Sequence, residues 1–386
     1  MKITNDIKYI GVNDHLIDLF EGQFDVPNGM SYNSYVILDE KIAVFDTVDA
    51  RFGDAWMQNL KRELNGKEPS YLIVQHMEPD HSSNITTFKR EYPNAQIVAS
   101  DKAFLMMKQF FGSDYIDSRI VVKENDTLSL GKHNLTFITA PMVHWPEVIM
   151  TYDSYDKVLF SADAFGKFGA LDVQDEDGWA CEARRYYFGI VGKYGMQASN
   201  LLKKASALEI NTICPLHGPV LNENLSYYID LYKTWTSYEV ESEGVVISYT
   251  SVYGNTKKAV ELLRDELLEN GCPKVVLNDL ARVDKHEAIE DAFRYGTMVL
   301  ATTTYNNDIF PFMREFLYEL LERGYKNRKI AIIENGSWAP SAGKKIREAL
   351  ANLKGLDILE AGVTIRSSMT EQNREEIKTL AKALLN

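Results

Sequence analysis

An apolar run, Tyr71-Leu72-Ile73-Val74, feeds almost directly into His76-Met77-Glu78-Pro79-Asp80-His81, and this junction constrains the fold more than any other part of the chain. The run reads as a buried strand. From Asn84 onward the sequence reads as a helix, with Ser82, Ser83 and Asn84 as candidate caps. Four side chains able to bind metal, His76, Glu78, Asp80 and His81, are thereby confined to one strand-to-helix loop. Strand-end loops are where α/β proteins place their chemistry. Three more ligand types, His144, Asp163 and His217, each follow another apolar run. The set amounts to four imidazoles and three carboxylates, enough for two metal ions.

Singly, a histidine on a loop is most often solvated, and an acid after a strand is often a helix cap. The weight lies in the set. The chain has seven histidines, and four of them fall in this constellation. His15, His133 and His286 sit in polar, charged contexts and read as surface residues.

The C-terminal part carries a second kind of signal. From Gly244 the chain repeats strand, loop and helix. Its apolar runs are Gly244-Val245-Val246-Ile247-Ser248-Tyr249, then 297–301, 329–333 and 361–365, with helical segments 256–268, 312–323, 344–353 and 371–385 between and after them. This is the pattern of a doubly wound parallel sheet. The first strand ends in Ser251-Val252-Tyr253-Gly254-Asn255-Thr256, hydroxyl-rich and opening a helix, as an anion site requires. No lysine follows the glycine, so the loop is not built for a nucleoside triphosphate. Two more strand-end loops, Thr303-Thr304-Tyr305-Asn306-Asn307 and Asn335-Gly336-Ser337-Trp338, offer flat aromatic faces and amide groups. A phosphate monoester joined to a flat ring fits these three loops, and flavin mononucleotide (FMN) is the expected cofactor. No dinucleotide glycine fingerprint is present.

At 386 residues the chain is too long for a single core. The expected division is 1–243 and 244–386, joined by 237–243. Paired strands 34–38 and 42–46, then 96–99, 135–139 and 158–161, mixed with single helices, predict sheets sandwiched between helix layers in the first part. Net charge of −13 argues against nucleic acid or an anionic membrane as partner. Three isolated cysteines, Cys181, Cys214 and Cys272, argue against a disulfide framework or a Cys-ligated metal. With no apolar leader or bilayer-length run, a cytoplasmic location is expected.

Glu78 decides the chemistry of the first site. Zinc hydrolases use His-x-His-x-Asp-His in such a loop, whereas here the second histidine is a carboxylate. A mixed imidazole and carboxylate set suits iron; zinc has no redox chemistry. The pattern His-x-Glu-x-Asp-His, followed by a distant His, an Asp and a final His, resembles that of the flavodiiron proteins. The flavodoxin-like second half extends the resemblance to essentially the whole chain. It implies a metallo-β-lactamase-like αββα sandwich followed by a flavodoxin-like doubly wound sheet. It implies one iron on His76, Glu78 and His144, a second on Asp80, His81 and His217, and Asp163 bridging them. It also implies reduction of dioxygen to water, of nitric oxide to nitrous oxide, or both. Electrons would come from FMN, refilled by rubredoxin or a reduced deazaflavin, in a head-to-tail homodimer or a dimer of dimers. The resemblance is to the minimal form of the family, in which no rubredoxin-like or flavin-reductase segment is expected after Asn386 and the electrons are expected from another protein or a soluble reductant. Trp145 and Tyr194 are candidates to line the pocket. The alternatives are a zinc hydrolase fused to a flavodoxin and a non-catalytic electron carrier.

Overall fold

The computed structural model describes residues 2–174, 176 and 178–386. The chain divides into two compact units, one of residues 1–187 and 194–233, the other of residues 188–193 and 234–386.

The first unit contains two facing sheets. One has six strands, in the order Ile7–Tyr9, Tyr35–Ile37, Ala43–Phe45, Tyr71–Ile73, Gln96–Ala99 and Arg119–Val121. The other has five, in the order Thr127–Ser129, Asn134–Thr139, Ile149–Asp153, Val158–Phe160 and Thr212–Cys214. Their inner faces share one core. Ile37, Phe45, Ile73 and Val98 from the first sheet meet Leu135, Phe137, Ile149 and Phe160 from the second, all essentially buried. Phe45 and Phe160 stack at 4.0 Å between centroids. Each large apolar side chain so buried contributes roughly 1.5–3 kcal/mol. This is the sandwich expected from mixed hairpins and single helices.

The strand ends set the site. The parallel pair Val158–Phe160 and Thr212–Cys214 places Phe160 opposite Cys214. Asp163 and His217 each follow at the third residue beyond, so they emerge at one edge. The antiparallel pairing of Thr139 with Ile149 returns the loop carrying His144 to that same edge.

The second unit is a parallel sheet in the order Val275–Asp279, Ser242–Tyr249, Tyr295–Tyr305, Lys329–Asn335, then Asp357–Ile358 and Val363–Ile365. Numbered along the chain this is 2-1-3-4-5, the flavodoxin-like order with a switch point between the first and third strands. Helices Asn255–Glu269 and Glu371–Leu385 cover one face, through Val260, Leu263, Ile377 and Leu380. The strand Val275–Asp279 and the helix Lys285–Arg294 are not among the segments singled out from the sequence. The strand's residues are mostly half-buried at the sheet edge, so its apolar signal is weak.

Two histidines expected at the surface are interior. His286 is 3 % exposed and His133 is 0 % exposed. His133 Nδ1 faces Asp153 at 2.9 Å and Nε2 faces Asp6 at 3.4 Å. Both partners are distant in sequence, so the polar neighbourhood of His133 does not reveal its burial. Burial disfavours the charged ring, but Asp153 and Asp6 overcome it and raise the pKa of His133 above the ordinary 6.5. The bound proton therefore stabilises the fold fully below the unfolded pKa, and this contribution is lost as pH rises through the folded one. His133→Gln is expected to lower the urea midpoint more at about pH 6 than at about pH 9; an equal loss at both would contradict this role.

Candidate metal centre and cofactor pocket

The ligand loop is itself a turn of helix, Pro79–Ser82, which the sequence reading places in a loop. Pro79 at its first position supplies the preset φ that favours such a start. Asn84 precedes the next helix, Ile85–Glu91, but makes no side-chain cap bond. Its amide donates instead to the carbonyl of Val48 at 2.7 Å, tying the loop to the neighbouring strand end.

All seven candidate ligands converge. His76, Glu78, His144 and Asp163 form one group, and Asp80, His81 and His217 another. Every imidazole points Nε2 inward. His144 Nε2 is 2.9 Å from Glu78 Oε2, and His76 Nε2 is 3.2 Å from it. His81 and His217 each hold Nε2 at 3.3 Å from Asp80 Oδ2. Asp163 lies between the groups. Its Oδ2 is 3.3 Å from His76 and 3.2 Å from His144, while its Oδ1 is 3.3 Å from His81 and 3.8 Å from His217.

These contacts are not an ordinary hydrogen-bond network. His217 Nδ1 faces the carbonyl of Ser31 at 2.7 Å. A carbonyl only accepts, so Nδ1 carries a proton and the ring is held with Nε2, the nitrogen left for a metal, toward the centre. His76 is set the same way by Glu147, whose Oε1 also accepts from the Met77 N–H at 2.9 Å. Yet Nε2 of His81 and His217 are 3.1 Å apart, and those of His76 and His144 are 3.3 Å apart. Both carboxylate oxygens of Asp163 and of Asp80 are buried without a hydrogen bond of good geometry. Nitrogen and carboxylate groups converging in a buried space need compensating positive charge, from protons or from a metal ion.

Charge acts in the same direction. Burial opposes ionisation of His76, but Asp163, Glu147 and Glu78 raise its pKa well above the ordinary value. His144 rises to about 9 against burial, through Asp163 and Glu78. Asp163, though fully enclosed, is held well below the usual carboxylate range by His76 and His81. A third cluster, Asp6, His133 and Asp156, differs in that Lys132 already pairs with Asp6. Mixed nitrogen and oxygen donors in two groups sharing a central carboxylate fit two iron ions.

A polar cavity of ≈ 400 Å³ reaches Glu78 and Asp80, walled also by Leu16 to Glu21, Tyr32 and Arg51. Neither Trp145 nor Tyr194 lines it. Trp145 packs edge-on against the ring of His76 at 5.3 Å.

In the second unit a cavity of ≈ 470 Å³ opens between the three strand-end loops. Val252 and Tyr253, then Thr303 to Asn307, then Asn335 to Trp338 line it, with Ala339 added by the structure. Ser251, Gly254, Asn255 and Thr256 lie outside that lining and shape the start of the helix. Ser251 Oγ accepts from the N–H groups of Gly254 and Lys257 at 3.1 and 3.2 Å. Gly254 has φ +88°, where a side chain would be strained. Tyr253 is 92 % and Trp338 89 % exposed, two large aromatic faces left open beside the cavity. The loops suit a flat ring with a phosphate at the helix N-terminus.

Supporting residues were not singled out in the sequence. Glu147 orients His76, Ser31 orients His217, and Asn33 fixes the loop before and after His217. The Asn33 amide donates to the carbonyls of Pro215 and Gly218, both at 2.8 Å. Nothing in their sequence neighbourhood marks them, since each acts across the fold.

The chain resembles known proteins over nearly its whole length. Residues 30–218 match the ODP family beta lactamase model, a span that contains all seven candidate ligands. A nitric oxide reductase of Moorella thermoacetica is 31% identical, over 94% of this chain and 92% of its own. Among solved structures, rubredoxin oxygen:oxidoreductase from Desulfovibrio gigas superposes with a TM-score of 0.92 at 26% identity, covering 100% of this chain and 97% of that one. The flavodiiron protein from Giardia intestinalis superposes with a TM-score of 0.93 at 26% identity, covering 99% and 95%.

Asn33→Ala removes the donor of both bonds; the Pro215 carbonyl still accepts from the Tyr35 hydroxyl at 2.6 Å, but the Gly218 carbonyl loses its side-chain donor. A loss of about 1–3 kcal/mol is expected, measured by chemical denaturation of the metal-free protein; a loss near zero would show that the His217 loop does not depend on Asn33.

Proposed function

The chain belongs to the flavodiiron protein family, and on that footing we propose how its residues serve an oxidoreductase that reduces dioxygen, nitric oxide or both. Its cofactors are FMN and two iron ions. The alternatives of a zinc hydrolase and a passive electron carrier are not supported by the relatives.

The observation that carries the site assignment is Asp163, with one buried carboxylate oxygen turned to each imidazole group. His76, Glu78 and His144 would hold one iron, and Asp80, His81 and His217 the other, with Asp163 joining them. When bound, the irons supply redox equivalents and Lewis acidity to a diatomic substrate, and FMN supplies the electrons. The chain's own part is placement. Glu147 and the Ser31 carbonyl fix two rings with Nε2 inward, ready to ligate. Glu78 presents its partly exposed carboxylate to the polar cavity, where water and protons have access, while Asp80, which also lines it, keeps both oxygens buried. Ser251 to Thr256 would receive the FMN phosphate, Tyr253 and Trp338 would flank its ring, and Thr303 to Asn307 with Asn335 to Ser337 would meet its polar edge.

A rubredoxin is the proposed electron donor, as the name of the Desulfovibrio gigas relative indicates for that protein. No helix among the described residues is long and apolar enough to cross a membrane. We further propose a head-to-tail homodimer in which one chain's FMN serves its partner's irons. Mixing Asp163→Ala with an Asn255→Ala, Thr256→Ala double variant should partly restore activity after subunit exchange; exchange without recovery would exclude cross-chain transfer.

Removal of the shared carboxylate separates Asp163 from the other ligands. Asp163→Ala is expected to lose both irons and tens-fold or more of the activity, whereas His144→Ala should retain more metal. Elemental analysis with steady-state consumption of dioxygen and of nitric oxide checks both. An Asp163→Ala protein with two irons and normal turnover would refute the bridging role.

A further inference from the structure

A second cavity in the metal-bearing unit differs in kind from the polar one. Its wall includes Val143, Ala164 and Phe165. Val143 immediately precedes His144, and Ala164 and Phe165 immediately follow Asp163. The cavity therefore abuts the backbone of two candidate ligands. The helix Gly195–Ala205 supplies Ala198 and Leu201 to another wall.

The lining is apolar. The one hydroxyl in it belongs to Tyr232, which accepts a hydrogen bond from the Phe165 N–H at 2.6 Å. The Tyr232 ring stacks on Phe165 at 4.2 Å, closing that side. The Tyr232 oxygen is thus engaged, and apolar cavities of this kind stay dry while admitting uncharged gases. The space is ≈ 10 Å³ for the centre of a water-sized sphere, about one such molecule. Three wall residues, Ala164, Ala198 and Ala205, are alanines, and larger side chains there would fill it. Val143 and Phe165 are 2% and 3% exposed, whereas Leu202 and Ala205 are half-buried. The cavity thus has a deep end beside the ligands and a rim near the surface.

We infer that this cavity takes up an uncharged diatomic gas, dioxygen or nitric oxide, at the Leu202 and Ala205 rim and holds it beside the metal centre. The inference rests on the proposed function for the identity of the gas. The physical division is between two approaches: a polar cavity at Glu78 and Asp80 for water and protons, and a dry one behind His144 and Asp163 for gas. A gas partitions from water into dry apolar space, so the cavity raises its local concentration where it is consumed.

Xenon is the probe, because it is apolar, uncharged and visible by diffraction whatever the activity. Crystals of the full chain under xenon pressure should show an atom enclosed by Val143, Phe165, Ala198, Leu201 and Tyr232. Ala198→Leu should abolish that site and raise the KM for the gas several-fold, with kcat at saturating gas and iron content unchanged. Ala205→Leu, at the half-buried rim where added volume is better tolerated, should raise KM in the same direction and serves if Ala198→Leu folds poorly. Absence of xenon from the cavity overturns the inference. So does loss of xenon with an unaltered KM in a folded variant. A wild-type protein that binds xenon here but consumes neither gas would refute the proposed function instead, and with it the identity of the gas.

Discussion

The structure turns on one buried carboxylate. Asp163 is 1 % exposed, has no hydrogen bond of good geometry, and is ringed by four imidazole nitrogens between 3.2 and 3.8 Å. An ionised carboxylate so placed is costly without a compensating charge. Protons on the imidazoles supply that charge when no metal is present, as the raised pKa values of His76, His81 and His144 record. Metal ions can take the place of those protons, because the Ser31 carbonyl and Glu147 hold Nδ1 of His217 and His76 and leave Nε2 facing inward. The site is thus organised for cations before any arrive.

The sandwich delivers these groups with little local freedom. Asp163 and His217 leave neighbouring parallel strands whose register aligns Phe160 with Cys214. His76 leaves the facing sheet, where Asp46 accepts from the N–H groups of Gln75 and His76 at 2.7 and 3.2 Å. Gly218, with φ +78°, has no room for a side chain, since a Cβ would meet Lys167 at 2.5 Å. The strands fix the spacing, and the loops need supply only the residue types.

Much of this is legible in sequence because metal chemistry permits few side chains. His76, Glu78, Asp80 and His81 share one short loop, and His144, Asp163 and His217 each follow an apolar run. The three loops around the second-unit cavity are legible for a similar reason, since a doubly wound sheet places its strand-end loops together. Residues that act across the fold are not legible. Asn33 and Glu147 meet their partners only after the sheets pack. His133 misleads for the same reason: its charged neighbours in sequence are joined by Asp153, twenty residues on, which makes its burial tolerable. The strand Val275–Asp279 is missed because a half-buried edge strand shows little apolar contrast.

The central claim is that two irons are held on either side of Asp163. Anomalous diffraction at the iron edge, from crystals of protein isolated from iron-replete cells, tests it most directly. The account predicts two iron peaks, one among His76, Glu78 and His144 and one among Asp80, His81 and His217, each within bonding distance of a different Asp163 oxygen. A single peak, or two peaks that appear only at the zinc edge in fully active protein, would contradict it.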